Sequence, residues 1–223
     1  MTDASFHADH PASAAVPAED LAAKLAARLC HDFMSPASGI VSGLDLLEDP
    51  SAKDMQAEAM ALIASSARKL VDQLTFARVA FGAYASAEVF DSRELEGLAQ
   101  GVFAHVRPSL EWAVEPPQLT KPAARALLNL VQLAAGALAV GGSARASVTI
   151  EDGLARVSVE AAGPRARLHA EVLDGLEGRS LGEGLSGRWV QAYYLHSLVK
   201  AAGGSVSVES GEDRVAFRAV VPA

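Results

Sequence analysis

Two long amphipathic stretches separated by a four-residue break constrain this chain most. Apolar residues recur at steps of three and four from about Glu19 to Leu47, and again from about Ser51 to Tyr84. That is a helical period, not a strand period. Between them, Glu48-Asp49-Pro50-Ser51 interrupts the pattern; a proline cannot continue a helix, and a serine is a natural cap for the next one. Long helices joined by so short a link fold back as an antiparallel hairpin. In the second helix, Met60, Ile63, Ala67, Leu70, Leu74, Ala77 and Phe81 trace the seam of a left-handed bundle. In the first, Leu25, Leu29, Ile40, Leu44 and Leu47 fall on one stripe. Two helices alone bury too little surface to be stable. The expected solution is a dimer, giving a four-helix bundle; the alternative is packing against the rest of the same chain.

Beyond about Phe90 the pattern changes. Asp91 to Val106 reads as a helix capped by Asp91 or Ser92, and Leu110 to Val114 as a short strand. Lys121 to Leu138 reads as a helix with Pro122 in its first turn and Gly141-Gly142 after its end. Residues 146–150 and 155–159 alternate around Glu151-Asp152-Gly153, which predicts a hairpin. A short helix over 168–176, a glycine-containing loop over 178–187, a helix over 188–202 and a second hairpin over 205–220 complete an α+β arrangement. Met1 to Pro17 lack periodicity and read as a disordered tail. The expected units are therefore 1–17, a hairpin over 18–85, and a mixed domain over 90–223.

Composition narrows the function. Nineteen Lys and Arg against 27 Asp and Glu leave a net charge of −8, the wrong sign for a protein that neutralises phosphates of nucleic acid. Cys30 is the lone cysteine, so there is no internal disulfide, no cysteine-rich metal site, and an inert small apolar side chain is expected there. No apolar run reaches the roughly 18–20 residues of a membrane span, and the first residues lack the features of a secretory signal. A cytoplasmic protein is expected.

One polar residue stands out. At about 100° per residue, His31 lies opposite the apolar stripe of its helix. Lys24, Ala27, Ser35, Ser38 and Ser42 share its side, and Met34 borders it. An outward histidine among small neighbours is open to a globular partner, and Met34 adds an adaptable apolar contact. A neutral imidazole is a nucleophile near pH 7. Asp32 is placed to hydrogen-bond the other ring nitrogen, or to hold a water there; otherwise it is a solvated helix charge. Pro36 is expected to bend or loosen the helix just after the histidine.

The run His31-Asp32-Phe33-Met34-Ser35-Pro36 resembles the phosphoacceptor box of histidine kinases. The second half resembles their Bergerat-fold ATP-binding domain, in part. Arg125 to Ala134 resembles the N-box helix, but Leu133 stands where a second asparagine would help hold Mg²⁺. Val157 to Arg165 resembles the G1 box, with Ala161 in place of the adenine-reading aspartate and Arg165 in place of a glycine. Gly182-Glu183-Gly184-Leu185-Ser186-Gly187 is similar to the G2 loop. A metal-nucleotide site needs oxygens at such positions, so no ATP chemistry is expected. Kinase-like hairpin and degenerate ATP domain together are similar to the alphaproteobacterial histidine phosphotransferases. The segments 25–33, 40–50 and 62–70 carry the resemblance most specifically.

The resemblance implies an α+β homodimer, with a four-helix bundle and a Bergerat-like α/β sandwich. It implies a relay in cell-cycle control, from the receiver of a CckA-like hybrid kinase to CtrA-like and CpdR-like response regulators, with His31 as phosphoacceptor. No cofactor is expected in this chain; Mg²⁺ is expected from the receiver. No nucleic acid and no membrane are expected as partners. His31 and Asp32 are the expected chemical residues. Lys24, Ala27, Met34, Ser35 and Ser38 are the expected docking surface, with a second contact through the 180–187 loop, Arg165, Arg167 and Arg188. The rival readings are an ATP-dependent kinase, disfavoured by Leu133 and Ala161, and a dimeric scaffold in which His31 carries nothing. The remaining histidines lack metal-ligand spacing, and His196 reads as a satisfied core or boundary residue.

Overall fold

The computed structural model describes residues 16–82, 87–179 and 187–223. The expected disordered tail falls outside these, except for its last two residues. Helix α1 spans Ala18–Glu48 without a break and contains Pro36, which is buried. Its first turn carries Glu19 and Asp20, the sign that suits a helix N-terminus.

Ser51 does not cap the next helix. Its amide and hydroxyl both donate to Asp49 Oδ1, at 2.8 and 2.7 Å, and hold the Asp49 carboxyl below its ordinary pKa. A 3-10 turn at Lys53–Met55 follows, and α2 runs over Gln56–Ala80. The helix therefore starts later and stops earlier than its apolar spacing predicts. Gly82, at φ +92°, turns the chain just beyond its end, and a Cβ there would meet the Arg125 guanidinium. The hairpin closes tightly because α1 offers Gly39 and Gly43 to the Ala59, Ile63 and Ser66 face of α2.

Residues 89–222 form a mixed unit. Strand β1 (Val89–Asp91) pairs antiparallel with β3 (Gln118–Thr120) in a small sheet whose three-residue strands are too short for their alternation to announce them. Helix α3 (Ser92–Phe103) is capped by Asp91, whose carboxylate accepts from the amides of Arg93 and Glu94. The main sheet contains β2 (Ser109–Val114), β4 (Ser143–Glu151), β5 (Leu154–Ala162), β6 (Ser205–Gly211) and β7 (Arg214–Pro222). Its order is β2-β4-β5-β7-β6. The β2–β4 pair is parallel and the other neighbours are antiparallel. The two expected hairpins are present; Asp152 (φ 52°) and Gly153 (φ 73°) make the first turn.

Alternation gives the sheet one buried face, with Ala146, Val148, Val157, Val159, Phe217 and Ala219 pointing inward. Helix α4 (Lys121–Ala137) covers that face, flanked by α3 and by α6 (Gly187–Ala201), with short α5 (Ala170–Leu176) on α6. The opposite face is polar and carries the ion pairs Arg214–Glu160 and Arg218–Glu209.

The hairpin is not free of this unit. At its base, Asn129 Nδ2 donates to the Ala80 carbonyl at 3.0 Å, and His105 Nε2 lies 2.7 Å from Asp72 Oδ2. At its start, Val16, Leu21 and Leu25 pack on Trp189, Val190 and Tyr193 of α6. Packing against the same chain thus occupies both of these regions. A lateral strip stays exposed: Val41 and Leu44 on α1, and Met60, Val71 and Leu74 on α2.

Arg165, at the position where the G1-box resemblance expects a glycine, adopts left-handed backbone. Its φ is +61°, and its amide donates to Asp213 Oδ1 at 2.6 Å. A side chain in the left-handed region is strained, against which glycine loses more freedom on folding. Arg165→Gly is expected to raise stability by up to about 1 kcal/mol, read as a higher urea midpoint. A lowered midpoint would mean that the arginine side chain contributes more than its backbone costs.

Candidate functional site

The outward face of α1 carries His31 into solvent, with 89% of its side chain exposed. Beside it, α1 and the first turn of α6 wall an open cleft of about 640 Å³. Lys24, Ala27, Arg28, His31 and Asp32 line it from α1, and Arg188 lines it from α6. The structure therefore brings together five of the expected residues: Lys24, Ala27, His31 and Asp32 from α1, and Arg188 of the expected second contact. Met34, Ser35 and Ser38 are exposed on the same helix but do not line the cleft.

Asp32 is not a free surface charge. Its Oδ1 lies 3.4 Å from His31 Nδ1, and its Oδ2 lies 3.4 Å from Arg28 Nε. Arg28 also donates through Nη1 to the Gly187 carbonyl at the start of α6. Only 16% of its side chain is exposed. Burial lowers the pKa of this guanidinium, with Asp32 opposing the shift. Lys24 stands over the Trp189 ring, 5.5 Å from its centroid. Sequence reasoning assigned no role to Arg28. Its i, i+4 spacing from Asp32 was the available signal; its contact with Gly187 had none.

Behind the cleft is a much smaller cavity of about 50 Å³, lined by Leu133, Ala137 and Phe217 together with Arg167, His169 and Arg188. Burial lowers the His169 pKa, and the Arg188 and Arg167 charges lower it further. Leu133 and Ala161 are both buried, and neither side chain carries an oxygen. Among the described residues, no group of three or more His, Cys, Asp or Glu is placed to hold a metal. The 180–187 loop lies outside the described residues apart from Gly187. His196 is satisfied, its Nδ1 2.8 Å from the Leu176 carbonyl. No described helix is long and apolar enough to cross a membrane.

Residues 92–214, more than half of the chain, match the histidine phosphotransferase C-terminal domain family. The chain belongs to the histidine phosphotransferase family. It is 34% identical over 201 residues to the protein phosphotransferase ChpT of Brucella abortus (strain 2308), covering 90% of this chain and 95% of that one. A solved bacterial phosphotransferase structure superposes with a TM-score of 0.82 at 32% identity, covering 92% of this chain and 97% of that chain. The chain is a phosphotransferase of the ChpT type, consistent with a place in a phosphorelay. In this phosphotransferase, the exposed His31 imidazole stands at the rim of the cleft.

Proposed function

We propose that His31 accepts a phosphoryl group from an aspartyl-phosphate receiver domain and passes it to the receivers of response regulators. The observation that carries this reading is the 89% exposed His31 side chain at the rim of an open cleft, with a carboxylate beside its Nδ1. Each half-reaction is an in-line displacement. The acidic pocket and Mg²⁺ of the receiver neutralise the phosphoryl charge, so this chain needs no cofactor of its own. Positioning does most of the work. Lys24, Ala27, Met34, Ser35 and Ser38 form the docking surface along α1. Arg165, Arg167 and Arg188 offer the acidic receiver a second contact.

Residues 18–85 act as the dimerisation and phosphotransfer unit. The exposed strip of Val41, Leu44, Met60, Val71 and Leu74 supports pairing of two hairpins into a four-helix bundle, because apolar surface of that extent favours a partner. Residues 90–223 are a histidine-kinase-type domain of Bergerat form that no longer binds ATP. The small cavity behind the cleft and the apolar Leu133 and Ala161 support that loss. A CckA-like hybrid kinase as donor, CtrA-like and CpdR-like regulators as acceptors, and a cytoplasmic role in the cell cycle complete the reading.

The test is phosphoryl transfer from a labelled phospho-receiver without ATP, comparing the protein with His31→Ala. Acid-labile, base-stable label on the normal protein and none on the variant is the expected result. Equal label on both places the acceptor elsewhere. Label arriving directly from ATP would overturn the assignment of the second domain.

A further inference from the structure

Three side-chain groups and one carbonyl form a continuous chain from the reactive ring to the second domain. His31 Nδ1 meets Asp32 Oδ1 at 3.4 Å, Asp32 Oδ2 meets Arg28 Nε at 3.4 Å, and Arg28 Nη1 donates to the Gly187 carbonyl. Arg28 is the member that crosses between the units. It borders both the cleft beside His31 and the small cavity behind it, so it fills the wall between them.

We infer that Arg28 is a positioning residue, through which the first turn of α6 sets the orientation of Asp32 and hence the tautomer of His31. The physical reason is the geometry of a guanidinium, which presents several N–H groups in one rigid plane. One edge is held by the Gly187 carbonyl. The other then faces Asp32 Oδ2 and leaves Oδ1 toward the ring. A carboxylate at Nδ1 favours the tautomer with the proton on Nδ1, so Nε2 is left with its lone pair. This inference rests on the reading of His31 as phosphoacceptor. In the step itself, the Nε2 lone pair attacks phosphorus, the P–O bond of the acyl phosphate breaks, and the receiver aspartate leaves as carboxylate. The ring then holds phosphorus on Nε2 and the proton on Nδ1. Its positive charge lies against Asp32, as an imidazolium does beside the aspartate of a catalytic triad. A domain without nucleotide chemistry thereby takes part in phosphoryl transfer, through a single main-chain carbonyl.

The test uses the full-length protein with Arg28→Met, which keeps the stem and removes the donors, and Arg28→Lys, which keeps the charge but not the planar fork. At saturating phospho-receiver, Arg28→Met is expected to slow single-turnover transfer roughly tenfold, with the receiver concentration for half-maximal rate unchanged. In the Asp32→Asn background it should add no further loss, because both residues act through one carboxylate. Nitrogen NMR of neutral His31 should move from the Nδ1–H tautomer toward the Nε2–H form. An unchanged tautomer in a folded Arg28→Met or Arg28→Lys protein would overturn the inference. So would a loss confined to receiver affinity, or losses that multiply with Asp32→Asn. If the normal protein accepts no phosphoryl group, the acceptor reading fails and the tautomer measurement alone decides the role of Arg28.

Discussion

Ala27→Trp is expected to lower phosphoryl transfer to His31 at least about a hundredfold while leaving the protein folded. Ala27 lies one helical turn before His31, on the same exposed side, and lines the cleft. An indole there occupies the space through which a receiver approaches the ring. In-line transfer needs the reacting atoms about 3–3.5 Å apart, and a displacement of about 1 Å is enough to cost two orders of magnitude. The side chain it replaces has no part in the core, so the change in stability should stay within about 0.5 kcal/mol. The measurement is the single-turnover rate with labelled phospho-receiver, beside a urea unfolding curve. Transfer at the normal rate would mean that the receiver docks on another face.

Gly43→Val should have the largest effect on folding. Gly43 is buried where the hairpin closes. A Cβ at this position would lie 2.6 Å from Ile63 Cγ1 and 3.0 Å from the Ala59 carbonyl oxygen. The isoleucine has other rotamers, but the Ala59 oxygen belongs to the α2 backbone and moves only if the helices separate. Overpacking of a close helix contact costs about 1–3 kcal/mol, and a β-branched residue belongs at the upper end because its χ1 is restricted in a helix. Denaturant unfolding should therefore give a loss of about 3 kcal/mol. A loss under about 0.5 kcal/mol would mean that the two helices are not held at this contact.

The helices and both hairpins of the mixed unit were legible because their signals are local. Periods of 3.6 and 2, the Asp91 cap, Pro122 and the Asp152-Gly153 turn each act within a few residues. The misreadings have equally specific causes. Helix α2 starts late because Ser51 bonds back to Asp49, and it stops at Ala80 because Gly82 takes a left-handed turn beside Arg125. The β1–β3 pair was missed because an alternation over three residues is too short to tell from chance. The parallel β2–β4 pairing was missed because a strand names its partner only through the packing of the helix that crosses between them.

The candidate site divides along the same line. The exposure of His31 follows from its angle on a single helix, so residues 25–47 alone determined it, together with the neighbourhood of Lys24 and Ala27 and the carboxylate one residue away. The tertiary structure decided that this face is a cleft and not an open helix surface. The seating of α6 on Leu21 and Leu25 brings Gly187 and Arg188 to the site across more than 150 residues of chain. It also links Arg28 to a carbonyl that no spacing could indicate. Contacts of this kind depend on the sum of burial over the whole core, and no short segment carries that sum in its own residues.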